Sequence, residues 1–391
     1  MSLFNYLTNS LDISLFFGLV ILIPLLVIIY LERRELLFLV TEAGVKIKKE
    51  LRDVFNLERH ESNPLLSPRD HISWEKEGVF NPAALLIKDT VHLLYRAIGS
   101  DGISRIGYSK SADGTKFEEG LEYPVFTFKQ SKPLGVNRKQ VYDPVMFPSG
   151  GSWGGAEDPR ATLIDGKIYM TFNAFDGWDF IRVALTMIDE KDFLAGKWKW
   201  MSPRLISPPG QIHKNWVIFP EKINGKYALL HSISPNVEIE YRDSLETIGT
   251  YDAFINSPIG VRTEGRKGFW DARVRGAGPP PVKTEDGWLV FYHANDNEEL
   301  HKYKLGVKLL DLVDPTKILA RSKSPILEPD MWYENDWKPG IVYACGAVIK
   351  DDILHLYYGG GDKHVCSART KVKDLLTWLK KEEARPLTLT K

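Results

Sequence analysis

Glu157, Asp158 and Arg160 stand together in the stretch GGAEDPRATLIDGKIYMTF, two carboxylates and a guanidinium inside four positions, directly ahead of residues that alternate like a strand. Such a group admits two uses. It can be a structural ion pair, with Pro159 fixing the local backbone and Arg160 neutralising one carboxylate. It can also serve a polar ligand, provided other polar side chains converge on it. Asn81, Arg96, Arg105, Asn173, His231, His293 and Asp362 fall at equivalent places on other repeats of the chain, and that convergence favours a sugar pocket. No grouping of His, Asp and Glu has metal-ligand spacing, so no metal is expected.

The elements that must position these residues repeat along the chain. Five segments join an Asp or Asn, usually a Gly, and an apolar-aromatic run: KDTVHLLY from Lys88, DGKIYMTF from Asp165, NGKYALLH from Asn224, DGWLVFYH from Asp286 and DDILHLYY from Asp351. Each reads as a hairpin turn feeding a strand. They recur roughly every 60 to 75 residues, room for a four-stranded blade with its loops. A second strand follows most copies, as in RIGYSKSADG from Arg105, RVALTMIDEKDF from Arg182 and HVCSART from His364. Helical signals are sparse, and 31 Gly with 23 Pro supply turns. The expectation is an all-β chain folded as a five-bladed β-propeller over residues 73–381, with its inner strands around a central channel.

Composition narrows the partners. Fifty-one basic and 51 acidic side chains cancel, which argues against a nucleic-acid binder. Aromatics at 12% suit either a β core or a site where rings stack on sugars. Cys345 and Cys366 are too few for a disulfide framework or a thiolate-rich zinc site, and read as small buried apolar groups.

At the N-terminus, a short tail over residues 1–12 precedes an uncharged apolar run, Ile13 to Leu31, long enough for a transmembrane helix. No basic leading segment or small-residue cleavage site marks it as a signal peptide, so a retained anchor is expected. Arg33, Arg34, Lys46, Lys48, Lys49 and Arg52 follow it, and place the bulk of the chain in the cytoplasm. The expectation is a single-pass membrane protein. Residues 32–72 read as a juxtamembrane helix and linker, and 382–391 as a C-terminal tail.

The motifs FNPAAL at 80–85, SRIGYSKSADG at 104–114, EDPR at 157–160, FPEKINGKYALLHS at 219–232, GAGPPPVKTEDGWLVFYHA at 276–294, DLVDPTKILARSKSPILEPD at 311–330 and YYGGGDKHVC at 357–366 closely resemble glycoside hydrolase family 130. The resemblance covers roughly residues 73–370. It implies a five-bladed propeller that cleaves β-mannosides with inversion, most often by phosphorolysis to α-mannose 1-phosphate. By position, it implies Asp158 as general acid, and Asn81, Arg105 and Asp362 around the mannosyl ring, with Glu157 and Arg160 beside them. Arg182, Lys214 and His231 are the residues it implies for phosphate, and Arg273 and Arg275 are further candidates for that anion or for an acceptor sugar.

Inversion requires a proton on the departing oxygen and an attack from the opposite face. A hydrolase must add a second carboxylate to activate water, whereas a phosphorylase need only bind an anion that is already nucleophilic. No cofactor is then needed beyond phosphate as co-substrate. The expected partners are a mannose-containing oligosaccharide, phosphate and a membrane, with a homo-oligomer left open. A β-mannoside hydrolase and a non-catalytic, membrane-tethered glycan-binding propeller are the alternatives. Residues 130–153, with Tyr142 and Trp153, read as a loop over the pocket that shapes acceptor choice.

Overall fold

The computed structural model describes residues 55–128, 152, 154–175, 181–249, 254–255, 257 and 263–384. Nineteen strands run in chain order among them. A first short strand, β1 (Glu58–Arg59), is followed by β2 (Gly78–Ile87), β3 (Thr90–Ile98), β4 (Ile103–Ser111), β5 (Gly154–Ile164), β6 (Lys167–Phe175), β7 (Ile181–Asp189) and β8 (Arg204–Leu205). Strands β2 to β8 form one seven-stranded sheet in sequence order. A three-stranded sheet comprises β9 (Val217–Ile218), β10 (Tyr227–Ser232) and β11 (Glu238–Arg242). A five-stranded one contains β12 (Arg273–Ala277), β13 (Val282–Thr284), β14 (Gly287–Asn295), β15 (Lys304–Leu310) and β16 (Ile318–Arg321). The last sheet combines β17 (Val342–Lys350), β18 (Ile353–Gly360) and β19 (His364–Lys371) with β1, which pairs antiparallel to β19 through Glu58↔Arg369 and Arg59↔Ala368.

Local chemistry builds the hairpins. Lys88–Asp89, Asp165–Gly166, Asn224–Gly225 and Asp351–Asp352 all have both residues at positive φ. That is the backbone of the tight turn whose twist matches the flanking strands, and Asn, Asp and Gly tolerate it best. Alternate side chains then bury between sheets: Leu289, Phe291, Leu305 and Val307 pack in one cluster with Leu354, Leu356 and Tyr358. Leu94, Ile106, Met170 and Phe172 form another.

Two expectations are corrected. The described strands form four sheets of seven, three, five and four strands, rather than the five separate blades of a propeller. The first two repeats fuse because β4 and β5 pair in parallel, Ile103↔Gly154 and Ser104↔Gly155. Gly155 makes this possible: at φ 110, any Cβ there would lie 2.1 Å from the Ser104 carbonyl oxygen. Turn periodicity marks where hairpins form, and it does not fix how the resulting sheets join.

The second correction concerns the membrane. Residues 13–31 lie outside the described residues, as does the 32–54 part of the juxtamembrane segment. Among the described residues no helix is long and apolar enough to cross a membrane. Two α-helices are described, α1 (Glu190–Leu194) and α2 (Val372–Ala384). The longer reaches about 20 Å at 1.5 Å per residue, against about 30 Å of hydrocarbon. One face of it buries Leu375, Trp378 and Leu379 on the core while Lys380 and Lys381 stay off it. The single-pass, cytoplasmic-facing assignment has no support among the described residues.

A buried ion pair holds β1 against the segment that precedes β17. Glu334, with no side-chain exposure, accepts hydrogen bonds from Arg59 Nε at 2.8 Å, from Tyr358 Oη at 2.8 Å and from the backbone N–H groups of Asp330 and Met331. Removing the cation leaves a buried carboxylate uncompensated. Arg59→Ala should lower unfolding free energy by about 3 kcal/mol, read as a fall in the urea midpoint at unchanged slope. A midpoint within error of wild type would show that β1 is not held this way.

Candidate active site

The Asn81-Pro82 and Asp158-Pro159 pairs are one structural device used twice. Strand β2 pairs Phe80 with Arg96 and then Ala83 with Leu94, and β5 pairs Glu157 with Asn173 and then Arg160 with Thr171. Each is a bulge, and in each the pre-proline residue is left-handed, Asn81 at φ 48 and Asp158 at φ 50. Proline has no N–H to lose at a bulge, and Asn and Asp accept positive φ at least cost. Bulges re-aim side chains. Here Asn81 and Asp158 both turn into a cavity of about 470 Å³, and Asn81 Nδ2 donates to Asp158 Oδ1 at 2.7 Å.

Arg96 organises the floor of this cavity. It is 1% exposed and uses its guanidinium as a fork: Nη1 donates to Asp158 Oδ1 at 3.1 Å, Nη2 to Glu157 Oε1 at 3.0 Å and to Ser152 Oγ at 3.1 Å, and Nε to Ser104 Oγ at 2.9 Å. Ser152 Oγ also donates to Glu157 Oε1 at 2.7 Å. Asn173 Nδ2 reaches Asp158 Oδ2 at 3.2 Å. Oδ1 of Asp158 thus takes two donors and Oδ2 one, so Oδ2 keeps acceptor capacity for a proton.

The two neighbouring carboxyls are driven apart. Burial pushes the Glu157 carboxyl up, and Arg96 and Lys214 only partly oppose it. Burial also acts upward on Asp158, but Arg96, Arg160, the Asn81 hydrogen bond and Lys214 outweigh it and hold this carboxyl below its usual range. Lys214 is itself lowered by burial against the pull of Glu157 and Asp158.

Among the described residues the cavity wall carries Arg96, Lys214, Arg275 and Lys338 as cations, with Glu157, Asp158 and Asp362 as carboxylates. The surplus is one positive charge, which suits an anionic ligand. Lys338 Nζ lies 3.3 Å from Asp362 Oδ2. A second, smaller cavity of about 40 Å³ shares Lys214, Asn215 and Arg275 with the first and adds His213 and His231.

Of the residues expected from sequence, the structure brings Asn81, Arg96, Glu157, Asp158, Lys214 and Asp362 to the larger cavity and His231 to the smaller. Three others stand elsewhere. Ser104 faces inward to Arg96, so its strand neighbour Arg105 faces the other way and pairs with Asp101 at 2.6 Å. Ile181 lines the cavity, and its neighbour Arg182 instead donates to the Ser207 carbonyl and lies 4.9 Å from the Phe254 ring. Arg160 is buried beneath the site, donating to the carbonyls of Asp158 at 2.8 Å and Gly278 at 3.1 Å and to Asn215 Oδ1 at 2.9 Å. Arg275 reaches the wall, and Arg273 does not. Tyr142 and Trp153 lie outside the described residues.

Sequence reasoning missed Asn215, Tyr303, Lys338 and Tyr343, which also line the cavity. Asn215 and Lys338 come from connections between strands, where no periodicity marks a facing side chain. Tyr343 stacks on His293 with ring centroids 4.0 Å apart and an interplanar angle of 7°. His293 therefore sits behind the wall, accepting the Ala344 N–H through Nε2 at 2.8 Å.

A buried carboxylate pair joined to a cation-rich polar cavity on a β scaffold has the residue types that glycoside-processing chemistry requires. A family model described as β-1,4-mannooligosaccharide phosphorylase matches residues 56–381. The 1,2-β-oligomannan phosphorylase of Thermoanaerobacter sp. (strain X514) is 36% identical over 332 residues, 82% of this chain and 99% of that protein. A β-1,2-mannobiose phosphorylase of the same strain is 36% identical over 316 residues, 80% of this chain and 96% of its own. The solved β-1,2-mannobiose phosphorylase of Listeria innocua, in complex with β-1,2-mannobiose, aligns with a TM-score of 0.63 at 27% identity, covering 84% of this chain and 100% of that one. The chain belongs to glycoside hydrolase family 130.

Three buried histidines make the fold acid-sensitive. Burial is the main cause in each: with Lys110 it pushes His92 down to about 4, with Arg182 and His231 it pushes His213 down to about 4, and with Arg160 it pushes His293 down to about 3. Their folded values lie below the unfolded value of about 6.5, so the unfolded chain binds more protons in between. The stability they contribute is complete above that value and is lost as pH falls. Unfolding free energy should drop from pH 6.5 toward pH 4 by up to about 1.4 kcal/mol per pH unit for each histidine. A flat denaturation midpoint across that range would contradict their neutral burial.

Proposed function

We propose that the protein is a β-mannoside phosphorylase acting on β-1,2-linked mannosides, with Asp158 as the general acid. The observation that carries this reading is the surplus positive charge around a buried carboxyl: a hydrolase has no need of an anion site beside its acid, and a phosphorylase does. The names of the two Thermoanaerobacter relatives and of the Listeria structure support the linkage.

In this mechanism a phosphate oxygen attacks the anomeric carbon of the mannosyl unit as the bond to the departing oxygen breaks on the opposite face. The departing oxygen takes a proton from Asp158 Oδ2. With hydrogen phosphate the balance closes, since the proton that leaves on the released hydroxyl equals the one the nucleophile brings. Asp158 is held ionised by its cationic neighbours in the free enzyme. A phosphate dianion docked on Lys214 and Arg275 counters those charges and moves the carboxyl back up, so the acid is charged with its proton when the nucleophile is in place. Asn81 and Asp362, both on the wall of the larger cavity, are the groups suited to sugar hydroxyls. Lys214, Arg275 and His231 border the seam between the two cavities, where the anion would sit.

A second reading gives the proton to Glu157, because burial already favours its protonated form. The two assignments predict different variants. β-1,2-Mannobiose with phosphate should yield α-mannose 1-phosphate and mannose, and without phosphate no turnover. Asp158→Asn should lower kcat about 10³-fold with mannobiose binding retained, while Glu157→Gln keeps most of kcat. The reverse pattern would transfer the acid role to Glu157, and release of mannose without phosphate would replace phosphorolysis by hydrolysis. Lys214→Ala should raise KM for phosphate at least about 10-fold, the loss of one charge-assisted contact. An unchanged KM would remove Lys214 from the anion site.

A further inference from the structure

Four residues on the cavity wall are left-handed, Asn81, Asp158, Asn215 and Asp362, and three of them fall in motifs already tied to chemistry. Asn215, at φ 65, does not. Its side chain nonetheless makes three hydrogen bonds, each to a different strand. Oδ1 accepts from Arg160 Nη2 and from Tyr343 Oη, both at 2.9 Å, and Nδ2 donates to the Arg275 carbonyl at 2.9 Å. The backbone N–H donates to Asn173 Oδ1 at 3.2 Å, and Asn173 in turn donates to Asp158 Oδ2.

These bonds span the molecule. Arg160 belongs to β5, Asn173 to β6, Arg275 to β12 and Tyr343 to β17, so one amide joins three of the four sheets from a position just before the other. The approach is close enough to dictate a neighbouring residue: at Gly276, φ 124, a Cβ would lie 2.7 Å from Asn215 Nδ2. Asn215 is 6% exposed, and a buried amide with every polar atom engaged holds its surroundings in one arrangement.

We propose that Asn215 is a positioning residue that sets the distance between the acid and the anion-binding cations. On one side it braces Asp158, through Asn173 and through Arg160, which holds the Asp158 carbonyl. On the other it fixes the backbone of Arg275 and is covalently next to Lys214. Its own side-chain bonds all go to protein groups other than the Asp158 carboxyl. The register of Lys214 and Arg275 against Asp158 Oδ2 nevertheless runs through it. The inference rests on the phosphorylase reading of the same cavity.

The test is steady-state kinetics of the full chain on β-1,2-mannobiose, with inorganic phosphate varied, for wild type, Asn215→Gly and Tyr343→Phe. Glycine keeps the left-handed backbone and the net charge while deleting the amide. Asn215→Gly should raise KM for phosphate at least 10-fold and lower kcat, with KM for mannobiose changed less than 3-fold. Tyr343→Phe removes one of the two bonds to Oδ1 without touching the backbone, and should raise KM for phosphate about 3-fold. A hole that merely loosened packing would lower Tm and leave both KM values alone. If phosphate KM is unaltered in both variants while the wild type is phosphate-dependent, the positioning role is overturned and the phosphorylase reading stands. If the wild type itself turns over without phosphate, both fall, and that result is visible without either variant.

Discussion

The molecule is organised around a buried guanidinium that must find an acceptor for every donor. Arg96 cannot lose its charge, and removing it from water is tolerable only because Asp158, Glu157, Ser104 and Ser152 surround it with oxygen. That requirement explains the geometry outward from it. Two carboxylates adjacent in sequence must present to the same cation, which a regular strand, with its alternating faces, does not allow. The bulge at Asp158–Pro159 breaks the alternation, and the left-handed backbone at Asp158 is the conformation the site needs.

Charge balance follows from the same constraint. Among the described residues of the wall, Arg96, Lys214, Arg275 and Lys338 outnumber Glu157, Asp158 and Asp362 by one charge, with Asp362 facing Lys338. A cavity of this kind holds its ionised groups apart by burial and repulsion, and an incoming anion relaxes both. In the proposed mechanism, binding the nucleophile and readying the acid are in that sense one electrostatic event.

Much of this was legible beforehand because short-range chemistry writes itself into sequence. Asp-Gly and Asn-Gly pairs before aromatic runs gave the hairpins, and FNP and EDPR marked the two bulges without the bulge itself being read from them. A proline inside an alternating stretch is the signal that could have exposed it. What escaped was governed by contacts distant in sequence. Arg105 is one residue from a position that faces inward, and strand alternation decides its fate only once Ser104 is known to bind Arg96. The parallel seam at Gly155 merges two repeats that look independent. Asn215 and Lys338 lie in connections whose course is fixed by other sheets, so their neighbours carry no local mark of them.

The pairing of β1 with β19 has a bearing on how the chain is made. A sheet that needs residues 58–59 beside residues 364–371 cannot be completed on the ribosome until nearly all of the intervening polypeptide has been synthesised. Earlier hairpins can close as they emerge, each from a tight local turn, but β1, made long before its partners, must wait for the edge of β19 and the carboxylate of Glu334. Birth order and final geometry are opposed at this one seam, and the nascent strand near residue 58 must stay available for the whole of elongation.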